Sequence, residues 1–149
     1  MVEHWFIAAE RRPLMWNRFY KVFITDEMLS GAKARITAFS DARALVADPI
    51  NYVERATPTV YSTIDVTKET FRTINKTNFQ IPWRDIASIE YSTARKTGLG
   101  FLPQAGSITF RMRSGVSREL VLLGSQDGEA LKRRLEHAIE TSGRVEQSR

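Results

Sequence analysis

The chain contains no cysteine. A disulfide framework, a thiolate zinc site and a cysteine nucleophile are therefore excluded, and the composition accords with a reducing compartment. Imidazole is scarce: His4 and His137 are the two histidines. A metal site needs several convergent ligands, and neither residue has ligand-type neighbours at a suitable spacing. His137 reads as a solvated helix residue near Glu136 and Glu140. There is no apolar run of about 18 residues, so no membrane-spanning helix is expected. Residues 1–13 lack the apolar stretch of a signal peptide, because Glu10, Arg11 and Arg12 interrupt it. The expectation is a soluble, cytoplasmic chain with no metal and no cofactor.

Catalytic signatures are equally sparse. Gly98-Leu99-Gly100 has no third glycine at the right offset and no following Lys-Ser/Thr, so it is not a phosphate loop. Nothing resembles a nucleophile elbow or a metalloprotease helix. Asp65, Glu69, Asp85 and Glu90 each fit more simply at a strand end or in water than in an acid/base pair.

What is present is an ordinary globular composition. Of 149 residues, 42% are hydrophobic and 26% charged, enough for one domain with a real core. The net charge is +5. Much of the excess lies in residues 84–118, where Arg84, Arg95, Lys96, Arg111, Arg113 and Arg118 face only Asp85 and Glu90. Such a bias suits an anionic partner, although a solvated sheet face would also carry it.

Residues 15–24 are aromatic and β-branched and read as a strand. Thr25 and Asp26 resemble helix caps, and Met28, Leu29, Ala32, Ile36 and Phe39 recur at helical spacing. Ser40 and Asp41 suggest a second cap. At Pro49 either a helix ends near Asp48, or Asp48 caps a new one with Pro49 at its first position. Two short helices are thus expected over 26–55. After Pro58 the chain reads as strands over 59–66, 69–74 and 78–83. Pro82 confines the last of these to an edge, or ends it.

A hairpin is expected across Ser114-Gly115-Val116, with Phe110 opposite Leu120, Ile108 opposite Leu122 and Arg111 opposite Glu119. Residues 127–141 form an amphipathic helix with Leu131, Leu135, Ala138 and Ile139 on one stripe. Asp127 or Ser125 caps it and Gly143 ends it. Residues 142–149 are expected to form a flexible tail.

The run from Phe79-Gln80-Ile81-Pro82-Trp83 through Arg84-Asp85-Ile86-Ala87-Ser88-Ile89-Glu90 resembles the signature of bacterial pleckstrin-homology-like (PH-like) and GRAM-like domains. In that family a strand ends in an apolar-Pro-Trp or similar step, a short polar turn holds an Asp, and an Ile-x-x-Ile/Val pair opens the next strand. The resemblance covers about residues 59–141 and includes the later hairpin and closing helix. It implies an α+β fold, an antiparallel β-barrel or roll capped by a C-terminal helix. Residues 1–58 depart from the family pattern and form an N-terminal strand and helical addition on the same core.

Three surfaces stand out for binding. Arg95 and Lys96 precede an apolar tip at Leu99, Phe101 and Leu102, a combination suited to an anionic membrane surface. The opposing expectation folds Phe101 and Leu102 onto the core and leaves the two cations in water. Trp5, Trp16 and Phe19 belong to an aromatic group that could be core or an interface between copies. Arg111, Arg113 and Arg118 would line a hairpin face, but without aromatics for base stacking that face argues against nucleic acid. The function expected is non-catalytic binding of a protein, an anionic lipid surface or a second copy. The alternative is a small enzyme or ligand-binding domain with its pocket between the early helices and the sheet.

Overall fold

Residues 5–10 alternate across a sheet, with Phe6 and Ala8 facing one side and Ile7 and Ala9 the other. All four are buried, so this strand has protein on both faces. The computed structural model describes residues 4–13, 16–37 and 40–147. Its centre is a seven-stranded antiparallel sheet in the order β4-β3-β2-β1-β7-β6-β5. The strands are β1 (Trp5–Glu10), β2 (Arg18–Ile24), β3 (Met28–Lys33), β4 (Phe79–Pro82), β5 (Ile86–Ser92), β6 (Gln104–Met112) and β7 (Ser117–Leu123). Two meanders, β1 to β4 and β5 to β7, join where β1 pairs with β7.

The sheet curls around an inner core that draws on every strand. Phe6, Tyr20, Val22, Leu29, Ile81, Ile89, Ile108, Phe110, Leu120 and Leu122 meet there. A long amphipathic helix (Gly128–Gln147, called α4) closes the curl and inserts Leu131 and Leu135 into that core. Asp127 caps it, accepting from the Ala130 amide at 3.0 Å. Gln126 sets its point of departure: its side-chain amide accepts from Ile7 N and donates to Ile7 O, like one more strand residue beside β1. The α+β class and the curled antiparallel sheet with a C-terminal helix agree with expectation. The helix runs past Gly143 to Gln147, so residues 142–147 are not a loose tail.

The outer face is covered by residues 34–37 and 40–78, part of the insert between β3 and β4. Two short helices (α1, Ala42–Ala47; α2, Pro49–Ala56) form where their caps predict. Asp41 caps the first, and Asp48 the second with Pro49 in its first turn. Leu45 and Val53 pack on Ile7, Ala9, Phe19, Val121 and Leu123. A 3-10 turn (Thr59–Ser62) and a third helix (α3, Glu69–Ile74) follow, and Tyr61, Val66 and Phe71 pack on Ala32.

Three expectations are corrected here. Residues 28–33 are a strand, not the start of a helix. Leu29, Ser30 and Ala32 are all fully buried, so the apparent helical stripe is one part of a segment hidden on both faces. Gly31 lies under the Phe79 ring, where a Cβ would come within 2.1 Å of Phe79 Cε1. That close strand approach depends on glycine. The Phe39 end of the expected helix lies outside the described residues. Next, residues 59–62 and 69–74 are helical although their composition favours strands. They cover β3 and cross-link through Asn78, which is buried. Its side chain accepts from Lys33 N and donates to Tyr61 Oη and Phe71 O. Strand propensity yields to this packing.

The third correction concerns the β6–β7 hairpin. Its loop is Arg113-Ser114-Gly115, closed by Met112 N donating to Val116 O at 2.8 Å. Gly115 takes the left-handed conformation that ends such three-residue loops (φ 92°). The loop thus begins one residue earlier than expected and the register moves by two. Ile108 faces Leu120, and Phe110 faces Arg118. The inward set is preserved, because a two-residue shift keeps each side chain on its face.

Candidate functional site

The loops after β1 and β5 are stitched together. Asn17 Nδ2 donates to Gly98 O at 2.7 Å, and Arg11 Nη1 to Thr97 O at 3.4 Å. With the start of β7 they border a shallow cleft of about 490 Å³, lined by Arg11, Arg12, Thr97, Gly98, Ser117, Arg118 and Glu119 among others. Among the described residues, the three most exposed large apolar side chains lie on these loops and the adjoining hairpin turn, while Val60 and Ile74 on the outer insert are exposed to a lesser degree. Trp16 is 74% exposed on the β1–β2 loop, Phe101 91% on the β5–β6 loop, and Val116 63% in the adjoining hairpin turn.

The β5–β6 loop divides between the two readings made for it. Leu99 and Leu102 are buried against the outer core with Val121 and Leu123. Phe101 points to solvent between them. Arg95 holds this shape by donating to Gly100 O at 2.8 Å and Leu102 O at 3.3 Å. Lys96 pairs with Glu119 at 3.4 Å, and Glu119 also accepts from Arg11 at 2.7 Å. Two buried anchors and two fixed carbonyls thus present a single aromatic ring outward.

The cations around this tip are Arg11, Arg12, Arg95, Lys96 and Arg118, against Glu10 and Glu119, an excess of three. Of these, Arg118 is withdrawn. It points to the inner face, with its guanidinium 3.8 Å from the Phe79 ring centroid. Its Nε lies 2.9 Å from Glu10 Oε2, an ionic contact off the hydrogen-bond direction. Tyr20 lies beside this pair, and burial, then the Glu10 charge, push its phenol above its ordinary value.

The other residues singled out in the sequence scatter. Arg111 leaves the hairpin partner and forms a two-pronged bond to Glu90 on β5, at 3.1 and 3.2 Å. That pairing holds the Glu90 carboxyl below the usual carboxylate range. Arg113 Nε donates to Arg84 O at 2.8 Å. Arg111 and Arg118 therefore lie on opposite faces of the sheet, not on one. The aromatic group separates as well: Phe19 is in the outer core, Trp5 is half-buried beneath the Lys21 ammonium at 4.6 Å, and Trp16 alone stands out in water.

The space between α1, α2 and the sheet, where a ligand pocket was the alternative, is occupied by Leu45, Val53, Leu99 and Leu102. A larger cleft of about 860 Å³ lies elsewhere, between α4 and the β2–β3 turn. Its lining includes His4, Arg84, Arg134 and His137. Sequence reasoning missed it because these residues are far apart in the chain and share no motif. Among the described residues no helix is long and apolar enough to cross a membrane, and no group of three or more His, Cys, Asp or Glu could hold a metal ion. No family model, curated protein or solved structure matches this chain.

Proposed function

We propose that this chain is a non-catalytic docking module of PH-like type, acting in the cytoplasm, whose loop tip engages an anionic membrane surface. The observation that carries the reading is the joint display of Trp16 and Phe101 on two hydrogen-bonded loops within a field of unbalanced cations. Exposed aromatic rings partition into the headgroup region of a bilayer. Each nearby Lys or Arg adds about 1 kcal/mol of attraction to an anionic leaflet. An acidic protein would satisfy the charge but has less use for two separate projecting rings. The PH-like kinship is supported by the two meanders joined through β1 and β7 and by the helix that closes the curl.

The test is co-sedimentation of the full chain with phosphatidylserine-containing vesicles at low ionic strength. The wild type is expected to pellet with them and not with neutral phosphatidylcholine vesicles. Trp16→Ser combined with Phe101→Ser should weaken binding at least about tenfold, since burying two rings supplies several kcal/mol. Their thermal midpoints should stay unchanged, because neither ring is packed. A wild-type chain that ignores anionic vesicles, or a double variant that binds as well, overturns the proposal.

A further inference from the structure

Both histidines of the chain, 133 positions apart (137 − 4), line one cleft. The cleft has two walls. Helix α4 contributes Arg134, His137, Ala138 and Thr141, which share a face at spacings of three and four. The strand side contributes Ile24, Met28 and Pro82, with Asp26 and Glu27 on the turn and Arg84 beyond it. The strand wall is held rigid. Trp83 Nε1 donates to Thr25 O at 2.8 Å and Trp83 N to Glu27 O at 3.2 Å. Thr25 Oγ1 accepts from Met28 N at 3.1 Å.

At its head, Arg134 Nη2 lies 2.8 Å from His4 Nδ1. A guanidinium has no acceptor, so in this contact Nδ1 is the unprotonated acceptor and Arg134 the donor. Protonation of His4 turns that contact into two facing donors. An oxyanion placed between them accepts from both. His137 on the same helix and Arg84 across the cleft supply two further donors, while Ile24, Met28, Pro82 and Ala138 offer an apolar surface below. Asp26 and Glu27, both exposed on the turn, repel an anion from that side and leave the helix side as its seat.

We propose that the cleft between α4 and the β2–β3 turn binds a small organic anion with an apolar body, its carboxylate or phosphate held by Arg134, Arg84 and the two histidines. Binding strengthens as pH falls through the range in which imidazole gains its charge, because each imidazolium adds a positive donor facing the ligand. The cleft shares no residue with the one beside the loop tip, and the inference stands whether or not the tip binds membranes.

Having two histidines makes the test direct. Their imidazole Cε1 protons are followed by one-dimensional NMR while octanoate, and separately inorganic phosphate, is added to the full chain at pH 6 and pH 8. Octanoate is expected to shift both signals saturably at pH 6 and to bind about tenfold more weakly at pH 8. Arg84→Gln, an exposed position, should weaken octanoate about fivefold or more without changing the thermal midpoint. His137→Asn should reduce the difference between the two pH values. The proposal is overturned if octanoate leaves both signals in place, if affinity is equal at the two pH values, or if Arg84→Gln binds as the wild type does. Equal saturable shifts with inorganic phosphate would also overturn it, since the apolar body would then contribute nothing.

Discussion

Arg118 on β7 rests its guanidinium 3.8 Å from the ring centroid of Phe79 on β4, although β3, β2 and β1 separate those strands in the sheet. Such a contact is possible only because the sheet curls until its inner face meets itself. Glu10 completes the arrangement from β1, 2.9 Å from the Arg118 Nε. The pair is shielded but not dry, with side-chain exposures of 24% for Arg118 and 15% for Glu10.

Removing one partner of that pair should therefore cost more than removing both. Arg118→Met leaves the Glu10 carboxylate shielded without a counter-charge and also loses the stacking on Phe79. A destabilisation of about 1–3 kcal/mol is expected, below the range for fully buried pairs because water still reaches this one. Glu10→Gln combined with Arg118→Met should recover part of the loss. Urea midpoints of the two single variants and the double variant form the cycle. A double variant as unstable as the sum of the singles would show that the two charges do not interact.

Asn78 joins the outer layer to the sheet. Its three hydrogen bonds, of 2.8 to 2.9 Å, reach the end of β3, the 3-10 turn and α3. Asn78→Ala strands the Lys33 amide, the Tyr61 hydroxyl and the Phe71 carbonyl in a buried place, at a cost of about 2–4 kcal/mol. The loss should appear first as faster amide exchange in residues 59–77, while the amides of β1 and β7 stay protected. Uniform loosening of the whole sheet would contradict the view that Asn78 pins the insert.

Alkaline stability gives a third expectation. Burial, then Glu10, raises the phenol of Tyr20 above its ordinary value, so the folded state favours the neutral ring. Its contribution to stability is complete below the ordinary value of about 10 and is lost as pH rises through the raised folded value. Denaturation at pH 9 and at about pH 11 should show a smaller alkaline loss for Tyr20→Phe than for the wild type. An identical loss in both proteins would mean that Tyr20 ionises freely in the fold.

Much of the local structure was legible in the residues themselves. Asp48 before Pro49 marks the start of α2 because side-chain capping and a fixed proline φ depend only on adjacent positions. The stripe of Leu131 and Leu135 identifies the closing helix, and Pro82 marks β4 as the edge strand that it is. That Ile108, Phe110, Leu120 and Leu122 share the inner face also followed from alternation, and it survived the two-residue change of register, whereas Arg118 turns inward beside them against expectation. For the candidate tip, the basic and apolar character of residues 95–102 was readable. That Phe101 projects while Leu99 and Leu102 are buried was not, because the choice depends on space beside Val121 and Leu123.

Composition and local pattern by themselves determined the α+β class, the absence of thiol chemistry, the capped helices and the closing amphipathic segment. Tertiary structure alone decided that residues 28–33 pair as a strand, that 59–62 and 69–74 form a 3-10 turn and a helix over it, that Arg118 turns inward, and that His4 meets Arg134. The physical reason is range. Caps, prolines and periodicity act between neighbours a few residues apart, whereas ladder pairing, ring-over-glycine contacts and charge pairs join segments tens of residues apart. Their energies exist only once the sheet has curled.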